Sequence, residues 1–586
     1  MVKEMSGGSG IGVGAGTGTT FGDDKVVDIP GDGDGDGVQV GSDMGVGVGV
    51  VNTEALDGAA VVCTTNKADA STGKTTMGIV EEGATRLVRL WVSGELRALF
   101  RRPWFTRVWV VQEACQCADT VFVCGMKPPV SYDIVGAIAL CMIHAVREVL
   151  RKSGYAADWD GVSPLSTDIE LLAGVMITRD VIPVMGLFIQ QIAQSHATRE
   201  RRLQQIMEGE GGDNLFRLLT DTYTDRFLSR ETKLHRDRVY ALLGLAADVG
   251  DLEIKPDYSG QTGTAQILIE VAKAIIGKTK DGYPVELLSY SQFPKTILDD
   301  GSHDKLPSWV PDWRSGLRYA FYYYTNPQKG NTGTNKKMLM ACGPHRSVEM
   351  VPNRTAGILG LRGYLVDTIE VAGGMVYRGR FNLATNLQVC DHHIAFFEKL
   401  DRLWELSKQK DEPIYETPAR REEALWRVPV GDIASDWQMT MLQHRTKTDL
   451  VLEYHRLRRS LEQLQALEID MTAPGWMDCM DEDKKKKVLE WTAHSLEADG
   501  GKHYDDCLAK MAGKSLYLTK KGYMGMGPHE MKSGDVVTVF PGARIPFVLR
   551  PTAEEDTFTY IGDAYCDGIM DGEITLREEK RDFFLV

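Results

Sequence analysis

No stretch of this chain is apolar for long enough to cross a bilayer. The longest apolar run, Ile134 to Val146, carries His144 near its end. At about 1.5 Å per helical residue it falls short of a hydrocarbon layer of about 30 Å. The N-terminus lacks the apolar core of a secretory leader. Paired C-x-x-C spacing is missing as well. The ten cysteines are scattered, and the nearest two, Cys115 and Cys117, form only a C-x-C, which argues against a disulfide framework or a structural zinc site. Positive charge is in deficit, with a formal net charge of −15, so broad binding to nucleic acid or anionic lipid is not expected. Neither a G-x-S-x-G elbow nor an H-E-x-x-H helix occurs. These absences describe a cytoplasmic protein with reduced, mostly buried thiols, no membrane span, no nucleic-acid partner, no metal and no resident cofactor.

Sixteen of the first 50 residues are glycine. Glycine loses the most backbone freedom on folding, and little else in residues 1–78 could offset that cost. The segment reads as a disordered arm, or as the product of a misjudged gene start. Two motif look-alikes sit in or beside it. Ala68 to Thr75 imitates a phosphate-binding loop but lacks a strand running into it, and Gly10 to Gly16 imitates a dinucleotide fingerprint only because glycine is abundant there. Further on, Cys390, Asp391, His392 and His393 form one short cluster with no second. The two histidines read as surface residues of a helix rather than metal ligands.

From residue 79 the pattern turns helical up to Arg102, where Pro103 breaks it. Thr120 to Cys124 reads as a short buried strand. Helices are predicted over Ile134 to Leu150, Val181 to Met207, Asn214 to Thr224, Arg236 to Leu245 and Ala265 to Ile276. Leu306 to Trp313 is too proline-rich for a helix, so an extended run anchored by Trp309 and Trp313 is expected. Strands are predicted over Gly357 to Val371 and within Lys514 to Asp563. Between them the stripe Leu450, Tyr454, Leu457, Leu461 and Leu464 marks an amphipathic helix in a helical insertion. Gly568 and Gly572 suggest a tight turn beside a strand.

The most informative segment is Arg102-Pro-Trp-Phe-Thr-Arg-Val-Trp-Val-Val-Gln-Glu113. It combines large aromatic area with charges that need partners. If it is helical beyond Arg107, then Phe105, Trp109, Gln112, Glu113 and Gln116 share one face, with Arg107 on a neighbouring face. In one reading Glu113 or Gln112 pairs with an arginine and holds the next strand. In the other, Glu113 is a functional carboxylate in a pocket.

This segment resembles the closing motif of the heterokaryon incompatibility (HET) domain of filamentous fungi. Three later stretches, in order, resemble segments common downstream of that motif in such proteins. They are Asp237 to Leu245 with Pro256 to Ser259, Leu306 to Trp313, and Gly534 to Ala543 with Pro546 to Arg550 and Gly562 to Glu573. The resemblance implies a role in non-self recognition and cell death, through contacts with other proteins, with HET-family relatives or by self-association. It also implies a TIR-like α/β domain, and by that analogy an NAD glycohydrolase with NAD as substrate and Glu113 as catalytic carboxylate. The family motif here comprises Trp104, Phe105, Arg107, Trp109, Gln112 and Glu113. The usual opening motifs, Tyr-x-x-Leu-Ser-Tyr-x-Trp-Gly and Asp-Ala-Leu-Cys-Ile-Asn-Gln, are missing. The HET domain therefore reads as truncated to its last third, with catalysis less expected than signalling. A degenerate or mispredicted fragment is the remaining alternative.

The expected architecture is α+β and helix-rich. Residues 1–78 are the arm, 79–125 the TIR-like HET remnant, and 126–330 a helical region. A small, mainly antiparallel β region comes next in two parts, 331–389 and 511–586, interrupted by the helical insertion 390–510.

Overall fold

The computed structural model describes, with short breaks, residues 104–136, 181–321, 339–373, 388–467, 481–490 and 501–586, together with 13–14. The helix expected over 79–102, the phosphate-loop imitation at 68–75 and nearly all of the arm lie outside the described residues. So does most of the helix expected from Ile134, of which residues up to 136 are helical.

Three two-residue strands open the fold: β1 (Val13–Gly14), β2 (Val121–Phe122) and β3 (Val130–Ser131). They pair antiparallel in the order β1-β2-β3. One piece of the glycine-rich arm is therefore strand, which a wholly unstructured arm did not anticipate. Beside this sheet lie α1 (Trp109–Gln116) and α2 (Val181–Glu208). The helical region continues with α3 (Leu215–Tyr223), α4 (Asp237–Leu243) and α5 (Thr264–Lys278), close to the predicted spans. Apolar periodicity explains them. In α5, Ile267, Leu268, Val271, Ala272, Ile275 and Ile276 are all buried, at three-and-four spacing.

Leu306 to Trp313 does not run extended. It folds into successive turns, closed by Val310 N–H to Pro307 O and Ser315 N–H to Asp312 O. Its tryptophans are the anchors expected of them, since Trp309 and Trp313 are both fully buried. Trp309 Nε1 donates to Gly357 O at 3.0 Å. The turns are favoured because Asp312 accepts from the Arg314 backbone and also pairs with its guanidinium in the interior.

The C-terminal sheet has β4 (Met350–Val351) and β5 (Leu359–Val371) before the insertion. After it come β8 (Lys514–Thr519), β9 (Met524–Pro528), β10 (Val536–Val539), β11 (Phe547–Pro551), β12 (Thr557–Asp563), β13 (Tyr565–Cys566) and β14 (Lys580–Leu585). The pairings β10-β11-β12-β14-β5 close on themselves through β10–β5, which makes a five-stranded ring. Only β12–β14 within the ring is parallel. Phe540, Phe547, Tyr560 and Phe583 form an aromatic cluster, fully buried, with neighbouring centroids 5.3–6.0 Å apart. β8, β9 and β13 extend the sheet from the far end of β5. Within the ring the backbone of β5 is approached closely, since a Cβ at Gly363 would meet Val539 O at 2.7 Å.

The insertion between β5 and β8 carries α6 (Gln388–Lys408), α7 (Asp449–Gln465) and α8 (Lys502–Leu508). It also holds an unforeseen antiparallel hairpin, β6 (Ile433–Ser435) with β7 (Gln443–Arg445). All five residues of the predicted α7 stripe are buried. His393 corrects the sequence reading. It is 3% exposed rather than on the surface, and its Nε2 lies 3.0 Å from Asp505 Oδ1 of α8. The apolar packing of the insertion carries it inward, and a buried imidazole needs such a partner.

Candidate functional site

The tryptophan-rich segment folds around α1. Val110, Val111, Ala114 and Cys115 point into the core. The opposite side carries the motif residues. Trp109 and Gln112 are half-buried, Glu113 and Gln116 are exposed, and Arg107 is exposed where the backbone bridges to Glu231. Phe105 lies outside the described residues. Spacing therefore placed Trp109, Gln112, Glu113 and Gln116 correctly on one face. Trp104 meets Phe122 of β2 edge-on at 5.3 Å, and Phe122 stacks on Tyr132 at 5.7 Å.

Gln112 of the motif and Gln116, one turn on, both lie against the segment that begins at Asp237. Gln116 Nε2 donates to Gly244 O at 2.8 Å. A Cβ at Gly244 would fall 2.4 Å from Gln112 Nε2, so a larger residue there would push the end of the Gln112 side chain aside. The first and second family segments are thus in direct contact.

An arginine does hold this helix, but not through Glu113 or Gln112. Among the described residues, no hydrogen bond or ion pair joins either side chain to an arginine. Arg199 of α2 holds it by the backbone instead. Its Nη1 donates to the carbonyls of Ala114 and Cys117 at the end of α1, and its Nε donates to Asp133 Oδ1 at 2.8 Å. The α1 C-terminus leaves carbonyls without helical partners, and a buried cation satisfies them. Burial opposes the charge on Arg199, but the Asp133 carboxylate outweighs it and raises its pKa above the ordinary value. Cys115 Sγ donates to Ser195 O at 3.4 Å, and Arg230 Nη2 donates to Ser195 Oγ at 3.0 Å. Burial pushes the Cys115 thiol up to about 12.

One group of residues was missed at the level of sequence. Asp133 lies just after β3, and His196 and Glu200 lie one turn apart on α2. One donor atom from each comes within 4.8 Å of the others. His196 is 8% exposed, and its Nδ1 is buried without a hydrogen-bond partner. Burial holds its pKa below the ordinary imidazole value, against the pull of Glu200 and Asp133. The only signal in the chain was the four-residue spacing of His196 and Glu200, which is common in helices.

A second polar assembly ties the insertion to the C-terminal sheet. Asp567, fully buried, accepts from Arg420 at 2.8 and 2.9 Å and from Tyr565 Oη at 2.7 Å. Asp432, also fully buried, accepts from Arg427, Arg445 and Thr446, and Arg445 reaches on to Asp571. Each of these buried carboxylates has a cationic partner, as burial demands. Gly568 and Gly572 both sit at positive φ in the turn beside β13, as expected. Among the described residues, no helix is long and apolar enough to cross a membrane.

Comparison with known proteins gives two matches. Residues 356–586, which hold the five-stranded ring and the insertion, match the Het-6 beta-barrel domain family. The chain is also 32% identical over 507 residues to heterokaryon incompatibility protein 6, OR allele, of Neurospora crassa. That alignment covers 83% of this chain and 66% of the relative, so the chain spans just under two thirds of the relative's length. No solved structure matches the chain.

Proposed function

We propose that this chain, which matches the Het-6 beta-barrel domain family over residues 356–586 and is 32% identical to a heterokaryon incompatibility protein, acts in fungal non-self recognition and cell-death signalling through protein–protein contact. In this reading residues 79–125 are the closing third of a TIR-like HET domain, working in the cytoplasm on HET-family partners or on a second copy of the chain. The observation that supports contact over catalysis is the placement of α1. Its apolar side is fully used in the core, while Arg107, Glu113 and Gln116 face solvent. A carboxylate serving as a catalytic group is expected in a pocket that excludes water; an exposed one flanked by polar groups suits the rim of a contact surface.

The test is expression of the full chain in a fungal strain, then fusion with a strain carrying an incompatible partner. Cell death that depends on the chain is the expected result. It should weaken when the exposed charges are reversed together, Arg107→Glu with Glu113→Lys, and persist in Glu113→Gln. Nicotinamide release from NAD by the purified protein, abolished in Glu113→Ala, would support the NAD glycohydrolase reading instead. Fusion without any chain-dependent death would overturn the proposal.

A further inference from the structure

We propose that Asp133, His196 and Glu200 bind a first-row divalent cation, Zn²⁺ or Mn²⁺, in a three-ligand site that leaves positions open to water. One imidazole and two carboxylates are a donor set that such ions accept. The imidazole argues against Mg²⁺ or Ca²⁺, which prefer oxygen alone.

Geometry carries the inference. The three donors converge from two elements, the helical stretch directly after β3 and one face of α2, to within 4.8 Å of one another. Ion-to-ligand bonds of about 2.0–2.2 Å would draw the donors together by roughly an ångström. Glu200, only half-buried, has room to supply most of that movement. His196 gives the independent observation. Its Nδ1 is buried with no hydrogen-bond partner, and it lies 3.9 Å from Asp133 Oδ1, too far for a hydrogen bond. Leaving such an atom unsatisfied in the interior is costly.

The surroundings resemble the second layer of a metal site. Arg199 Nε donates to Asp133 Oδ1 at 2.8 Å and fixes that carboxylate. Gly136 lets the ring approach, since a Cβ there would come within 2.3 Å of His196 Cγ. Arg199 offsets one of the two carboxylate charges, and the Glu200 charge remains for the ion to balance. The site also bears on α1, because the same Arg199 holds the carbonyls of Ala114 and Cys117. Metal binding would therefore stiffen the seat of the family motif.

The test uses the full chain, stripped with chelator. Mn²⁺ is titrated in and followed by electron paramagnetic resonance, a probe with little affinity for thiols. Zn²⁺ is then added as competitor. One Mn²⁺ per chain, displaced by Zn²⁺, is expected. Glu200→Gln and His196→Asn should each weaken binding by more than the roughly 10–100-fold that loss of a ligand's hydrogen-bonding partner costs. Glu200→Gln changes only a half-buried carboxylate, so its fold is expected to survive, and circular dichroism verifies it. Absence of binding by the parent at 100-fold excess over protein would overturn the proposal. So would unchanged affinity in folded Glu200→Gln.

Discussion

Arg544→Met should be among the most damaging single changes in this protein. The Arg544 backbone and Nε both donate to Glu286 Oε1, at 3.0 and 2.7 Å, and Nη2 donates to Oε2 at 2.8 Å. The side chains are 8% and 4% exposed. The guanidinium also lies 4.7 Å from the Tyr283 ring centroid. This pair joins the 3₁₀ turn Pro284–Tyr290 to the loop between β10 and β11. Removing the guanidinium takes the Arg544 charge from a buried carboxylate, at a cost of about 3–5 kcal/mol. For a domain of this size each kcal/mol moves the melting temperature by about 2–4 °C, so a fall of roughly 6–20 °C is expected. Thermal and urea unfolding monitored by circular dichroism measure it. The double variant Glu286→Leu/Arg544→Met removes both charges and should be less destabilised than either single variant. A single variant melting within about 2 °C of the parent, or a double variant equal to the sum of the singles, would refute the reasoning.

Packing and burial set three more outcomes. Leu461→Ala empties a site on α7 that is 4% exposed and should cost about 2–5 kcal/mol in urea unfolding. Gly363→Ala forces a methyl to within 2.7 Å of Val539 O where β5 meets β10; a loss of about 1–3 kcal/mol is expected, and an unchanged midpoint would mean that the two strands are looser than described. Burial raises the Cys115 thiol pKa to about 12, so at pH 8 it stays a thiol, and iodoacetamide should label half-exposed Cys117 first. Peptide mass mapping after timed quenching reads the order, and faster labelling at Cys115 would contradict its burial.

Much of the fold was legible because it rests on local periodicity. The stripe from Leu450 to Leu464 announced α7, and the run from Leu359 to Val371 announced β5. What escaped depends on distant partners. Nothing near His393 signals Asp505, more than 100 residues away, so the histidine read as a surface residue. The turns at Val310 and Ser315 were hidden because proline content excludes a helix without choosing between an extended run and turns. Closure of the ring is set by β10 returning to β5, and no single strand encodes that. At the candidate site, spacing placed Trp109, Gln112, Glu113 and Gln116 on one face. It could not say that the face looks outward, nor that Arg199 would hold the helix by its carbonyls. Asp133, His196 and Glu200 were invisible as a group because Asp133 belongs to another element.

β5 carries a kinetic consequence. Along its two edges it bonds to β4, β14, β10 and β8, and Leu359 at its start is in register with Leu585. Its partner β14 is therefore made roughly 200 residues later, on the order of 10–40 s at ordinary rates of synthesis. Until β8 and β10 emerge late in that interval, most of an apolar strand has nothing to pair with, a state prone to sticking to other chains. Long-range pairing of this kind also folds slowly once all the strands exist. Output of native protein in the cell should then be governed by how well β5 is sheltered while the ribosome works, more than by the final stability of the ring.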